Sequence, residues 1–278
     1  MKTERKTYLK SVLGLISMKH TLKITLILVA LFIASQLVGL FIANHYHRQE
    51  LPYGITPPDF KEETSFLPLF FIILATTFIV IILIRFRLGF LWKLWFFFAV
   101  LFALSVSFSA IMGETPALII ALVLALVKIF KPNVFIHNFS EVFIYGGLAA
   151  IFSPVLSLFS ISILLVIISV YDAIAVWKTK HMISLAKFQA ESKLFAGLLV
   201  PYGKKTAILG GGDIGFPLLF NAVLLKNFGL LSLIGVLFSA AALFILLCMS
   251  KKNRFYPAMP FIAAGCFLAL LVIKLLSY

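Results

Sequence analysis

Residues 209–220 read LGGGDIGFPLLF, and Asp213 follows three glycines inside a stretch that is otherwise as apolar as a membrane span. An ionised side chain at the centre of a membrane helix costs roughly 3 kcal/mol on insertion scales, so an embedded acid marks a functional site by default. Composition supplies the surroundings. Of the 278 residues, 62% are hydrophobic, 15% aromatic and only 12% charged, which cannot be wrapped around a soluble core of this size. The chain therefore reads as an integral membrane protein in a lipid bilayer.

Stretches of about 20 apolar residues mark spans. They occur near 21–43, 66–84, 94–113, 116–130, 139–152, 155–177, 206–225, 229–250 and 255–276. The fourth and fifth are short, and Lys128, Lys131 and Glu141 fray their shared end, so seven or eight crossings compete with nine. The net charge of +14 lies in clusters between apolar runs, which argues topology rather than nucleic-acid binding. Lysines and arginines crowd the N-terminal arm and alternate loops, including 178–205 and 251–254, whereas the first opposite loop, NHYHRQELPYGITPPDFKEET, is net acidic. Counting this way supports nine all-α transmembrane helices, with the N-terminus cytoplasmic and the C-terminus outside a cell membrane. The first segment reads as a retained helix rather than a signal peptide, and residues 8–18 as a helix on the inner leaflet or a basic tail. The loop 178–205 divides the chain into a six-segment front region, 1–177, and a three-segment back region, 206–278.

Seven of the ten acidic residues sit in tails or loops, and Glu141 lies at a segment edge within reach of headgroups. Asp172 and Asp213 remain. Counted from the ends that face the 178–205 loop, they lie about 8 and about 10 Å deep at 1.5 Å per residue. Consecutive antiparallel helices are commonly neighbours, so the two carboxylates can meet. Such a pair in a low dielectric holds one proton between them, and one acid can then polarise a scissile carbonyl while the other activates water. A proton- or cation-coupled transporter also needs embedded acids, and is the rival reading.

Gly210, Gly211 and Gly212 let a peptide backbone approach Asp213, or serve close helix packing. Pro217 gives no N–H to the Asp213 carbonyl and favours a kink in segment seven. In FYPAMPF, Pro257 and Pro260 flank Ala258 and Met259 at the start of segment nine. They are either an ordinary first-turn proline start or irregular backbone lining a cavity.

Together these residues resemble the presenilin and signal peptide peptidase family of intramembrane aspartyl proteases, most like its archaeal members. Tyr171-Asp172 matches the family's Tyr-Asp pair, Gly210 to Asp213 matches Gly-x-Gly-Asp, and Pro257-Ala258-Met259 stands where the family has Pro-Ala-Leu. The resemblance implies a presenilin-like fold and an aspartic endopeptidase that cuts transmembrane helices or signal-peptide remnants. In it Asp172 and Asp213 are catalytic, and Tyr171, Gly210, Gly211, Gly212, Pro217, Pro257, Ala258 and Met259 shape the site. Met259 departs from the leucine of the pattern at similar volume. Ile214 and Pro217 look more like signal peptide peptidase, whereas the charge count implies a presenilin-like orientation. A prepilin-peptidase-like Gly-x-Gly-Asp enzyme is a minor alternative.

Transmembrane peptides are then the substrates, entering laterally near segments six and nine and adding as an extended strand beside Gly210–Gly212 and Pro257–Pro260. The Tyr171 hydroxyl would position Asp172 or a substrate group, unless it is an ordinary interfacial tyrosine. No metal or organic cofactor is called for, since His45 and His47 alone do not make a metal site. No obligate partner subunit is implied, and an oligomer stays open.

Overall fold

The computed structural model describes residues 21–86, 88–179, 195–203, 205–250 and 256–277. The stretch 8–18 lies outside them. Six helices come first: α1 (Leu22–Tyr46), α2 (Phe66–Arg85), α3 (Gly89–Met112), α4 (Glu114–Phe130), α5 (Val134–Phe152) and α6 (Leu158–Ile174). A π-helical turn, Ala175–Thr179, continues α6. A β-hairpin follows, β1 (Gly197–Tyr202) and β2 (Lys205–Gly210), and then α7 (Gly211–Phe228), α8 (Ser232–Met249) and α9 (Met259–Leu276).

Seven stretches are long and apolar enough to cross a membrane; one of them, Gly211–Met249, contains both α7 and α8. At 17 residues, α4 is at the short limit for a crossing. The count of nine crossings is therefore not reached by length and composition, but the chain is a mostly helical, multi-pass integral membrane protein. Many large apolar side chains are exposed along these helices, such as Phe71, Phe78, Phe90 and Leu237. Lipid, not water, is the medium that such a surface suits.

One apolar cluster joins α1, α5 to α9 and both strands around Phe32, Leu165, Leu198, Ile214, Phe220 and Ile262. A second gathers α2, α3 and α4 around Trp92, Phe96, Leu104 and Ala121. The helices carrying the three motifs, α6, α7 and α9, pack on one another within the first cluster. There α1 also lies against α7 and α8. Gln36 on α1 donates to the Ile214 carbonyl at 2.9 Å and accepts from Asn221 Nδ2 at 3.0 Å, tying α1 to α7 by buried polar bonds.

The hairpin corrects the all-α expectation. Residues 206–210, read as the start of a helical span, are a strand, and helix begins only at Gly211. Ala207 and Leu209 are buried while Thr206 and Ile208 are exposed, the two-residue alternation of a strand. Two glycines permit the hairpin: Gly203 takes φ 54° after Tyr202, and Gly197 takes φ 141°. A Cβ on Gly197 would stand 2.2 Å from the Leu209 carbonyl oxygen, so no other residue fits there.

Candidate active site

Asp172 sits in the last turn of α6, just before the helix widens into its π turn at Ala175, whose N–H reaches both the Tyr171 and Asp172 carbonyls. Wider turns of this kind recur at functional positions. Asp213 is the third residue of α7, with Gly210 as N-cap. The Gly210 N–H points back to its carboxylate, one half of a reciprocal capping arrangement. The helices that carry the two acids pack on one another, and Asp172 is near enough for its charge to act on Asp213.

The third motif meets them. Ala258 caps α9, and Met259 and Pro260 are its first two residues. The first N–H groups of a helix have no partner within it. Here Met259 N–H donates to Asp172 Oδ2 at 3.1 Å, and the Ala258 amide is directed to the same carboxylate. Pro260 fits the second position because it has no N–H to satisfy. The first-turn reading of the prolines is the one seen, since Pro260 lies in the first turn of a regular helix whose first amide reaches Asp172. Pro257 and the Met259 side chain are buried.

The glycines differ from one another. A Cβ on Gly210 would lie 3.2 Å from Asp213 Oδ2, and one on Gly211 would lie 2.9 Å from the Tyr145 hydroxyl and 3.3 Å from the Ala196 carbonyl. On Gly212 it would meet only the Phe216 ring, at 3.6 Å. Close packing therefore accounts for Gly211 but not for Gly212, whose open side faces away from the protein. Pro217 stands inside α7 without ending it. The Tyr171 hydroxyl bonds Thr77 on α2, which anchors the residue beside Asp172 to a neighbouring helix.

Sequence reasoning missed a buried polar cluster beneath the hairpin. Lys128 and Glu141, expected to fray a segment edge or reach headgroups, are 2% and 1% exposed and form an ion pair of 2.7 Å. Lys128 Nζ also lies 3.2 Å from His137 Nδ1. Glu141 accepts from the Tyr145 hydroxyl and from the Gly197 N–H, the latter at 2.9 Å. His137, Glu141 and Tyr145 recur every four residues on α5, a spacing that puts them on one face and could have signalled the cluster. Tyr145 closes the link to the acids, since its ring and hydroxyl stand over Gly215 and Gly211.

Comparison with known proteins defines the class. The family described as signal-peptide peptidase, presenilin aspartyl protease matches residues 29–278. A presenilin-family intramembrane aspartate protease, solved in a C222 crystal form, superposes with a TM-score of 0.66 at 22% identity. That match covers 91% of this chain and 99% of the other. A structure described in the same words in a P2 form gives 0.65 at 22% identity, covering 90% and 96%. At this identity the superpositions speak for the fold. No curated protein matches the chain closely enough to count as a relative. With the family match spanning most of its length, the chain belongs to the signal-peptide peptidase and presenilin family of aspartyl proteases. It is an intramembrane aspartic endopeptidase whose substrates are transmembrane peptides in the bilayer.

Proposed function

We propose that Asp172 and Asp213 are the catalytic pair of this protease. The observation that carries the proposal is the mutual packing of α6, α7 and α9, which bear Asp172, Asp213 and Met259, with the Met259 amide fixing one oxygen of Asp172. In the resulting step, one carboxylate takes a proton from water as it attacks the scissile carbonyl. The other, protonated, hydrogen-bonds the carbonyl oxygen as it becomes an alkoxide. The tetrahedral intermediate then collapses as the carboxyl that took the water proton passes it to the nitrogen, the C–N bond breaks and the alkoxide returns to a carbonyl, leaving the pair with its single proton. Tyr171, Gly210, Gly211, Gly212, Pro217, Pro257, Ala258 and Met259 shape the site around this pair.

A substrate helix hides its amides in its own hydrogen bonds, so it must unwind before it is cut. The open edge of β2 supports the view that the unwound segment adds to it as a further strand. Thr206 and Ile208 are its exposed positions, and Gly210 leads directly to Asp213. Gly212, open on its outer side, leaves the path clear.

The division of the chain at 178–205 leaves a single aspartate of the pair on either side. Nine crossings, with α4 as a short one, a cytoplasmic N-terminus and an outer C-terminus in the cell membrane follow from the lysine and arginine clusters. Cysteine-accessibility labelling tests this orientation: a cysteine placed in 180–194 should label from the cytoplasm and one in the 47–64 loop from outside.

Cleavage of a single-span peptide by purified protein in liposomes, with nothing added, tests the catalytic pair. Asp172→Asn and Asp213→Asn should each abolish it, and cleavage by both variants at the wild-type rate would overturn the assignment.

A further inference from the structure

The two edges of the hairpin are not equivalent. On β1, Gly197 donates its N–H to Glu141 Oε2 at 2.9 Å, and its carbonyl meets His137 Nε2 at 2.7 Å. Two residues on, Leu199 N–H donates to Asn138 Oδ1 at 2.9 Å, and its carbonyl accepts from Asn138 Nδ2 at 2.7 Å. Backbone groups alternate sides along a strand, so the next position on this edge is 201, and it is proline, with no N–H to offer. Each N–H that β1 could present to a further strand is therefore taken or missing. The register pairs Leu198 with Leu209 and Val200 with Ala207, which turns the backbone of Thr206 and Ile208 to the opposite, open edge.

We propose that His137, Asn138 and Glu141 act as a false neighbouring strand. They close one edge of the hairpin, so that an extended substrate pairs only with β2, and they fix the register in which its scissile bond reaches the acids. Lys128 holds Glu141 and His137 in place from α4, at 2.7 and 3.2 Å. These are positioning residues, acting on the substrate through the strands. The proposal rests on the assignment of Asp213, because the open edge matters only if it leads to a catalytic group. It also explains why His137 and Glu141 are buried in a helix that could have been wholly apolar: each meets a strand backbone group that lipid could not satisfy.

The test uses the full chain in liposomes with a single-span peptide, reading initial rates per folded protein and the cut bonds by mass spectrometry. Asn138→Leu frees both backbone groups of Leu199. It should raise KM about tenfold, the worth of two modest hydrogen bonds, and spread one dominant cut over neighbouring bonds. Pro201→Ala, at an exposed position, restores an N–H to the closed edge and should shift KM and the cut sites in the same direction by a smaller factor. Asp213→Asn is run alongside. If it is inactive while Asn138→Leu, or Pro201→Ala where Asn138→Leu does not fold, keeps the wild-type KM and a single cut, the edge proposal falls and the catalytic pair stands. An active Asp213→Asn would instead remove the assignment on which the proposal rests.

Discussion

The backbone N–H of Met259 donates to Asp172 Oδ2 at 3.1 Å, so the start of α9 is joined directly to the end of α6. What this contact needs from residue 259 is its main chain, held where the buried side chain sets it. Met259→Leu keeps volume and burial, so its kcat should stay within about threefold of wild type, since volume-conserving core swaps are mild. Met259→Ala leaves a cavity worth about 2–5 kcal/mol. It should lower both Tm and kcat, and peptide cleavage with thermal unfolding in detergent would report the two together. Wild-type kcat in Met259→Ala would mean that the amide stays in place without the side chain.

The glycines before Asp213 should separate packing from substrate access. Gly211→Ala drives a methyl into the Tyr145 hydroxyl and should destabilise the fold by about 1–3 kcal/mol, the usual cost of overpacking. Gly212→Val meets only the Phe216 ring at its Cβ. It should leave Tm nearly unchanged and still lose cleavage, because its bulk stands on the side from which a peptide comes. Full activity in Gly212→Val would show that this side is not the substrate path.

The ordered triple Tyr171-Asp172, Gly210 to Asp213 and Pro257-Ala258-Met259 was legible because each piece breaks an apolar background in a way that lipid penalises. The hairpin was not. A strand beside water shows apolar and polar residues in turn, but the outward residue of β2 at Ile208 is itself apolar, and TAILG reads as more of the same span. The Lys128 and Glu141 pair was misread for a related reason. Charges near the ends of short segments normally reach headgroups, and although the four-residue spacing of His137, Glu141 and Tyr145 hinted at a shared face, the partner that turns Glu141 inward, the backbone of Gly197, is set by the fold.

That pair makes its own prediction. Removing one charge strands the other at a site about as buried as any in the protein. Glu141→Leu alone should therefore cost about 3–5 kcal/mol, whereas adding Lys128→Met should recover the part due to the stranded charge and leave the cost of the orphaned Gly197 N–H and Tyr145 hydroxyl. A double-mutant cycle on Tm or denaturant midpoint measures the coupling. Additive losses would show that the ion pair is not what holds α4 to α5.

On the opposite end of α1, the imidazole of His47 lies 2.9 Å from Ser153 Oγ. Burial, and secondarily Lys226, hold its pKa below the ordinary value. The sign follows from proton binding: below about pH 6.5 the unfolded chain takes up a proton that the folded chain resists, so stability is present above that pH and falls as the pH drops further. Tm should decline on acidification through this range, and His47→Gln, which keeps a hydrogen-bonding group but cannot titrate, should flatten the decline. An unchanged slope in that variant would assign the acid sensitivity to other groups.

The catalytic pair should be read most clearly from kinetics. Two carboxylates that share a proton titrate together, so kcat should follow a bell-shaped pH profile whose two apparent pKa values belong to the pair. The double variant Asp172→Asn/Asp213→Asn should be no slower than either single one, because the two acids act as one unit. A hydroxyl-bearing isostere of the tetrahedral intermediate should bind wild type at least about a hundredfold more tightly than the matching plain peptide, since it mimics the species the site stabilises. Either asparagine variant should erase that preference while leaving the affinity of the plain peptide near wild type, because β2 and its open edge are untouched. Isothermal or fluorescence titration of both ligands against the three proteins decides the matter: a preference for the isostere that survives in Asp172→Asn and Asp213→Asn would show that the tetrahedral species is stabilised elsewhere.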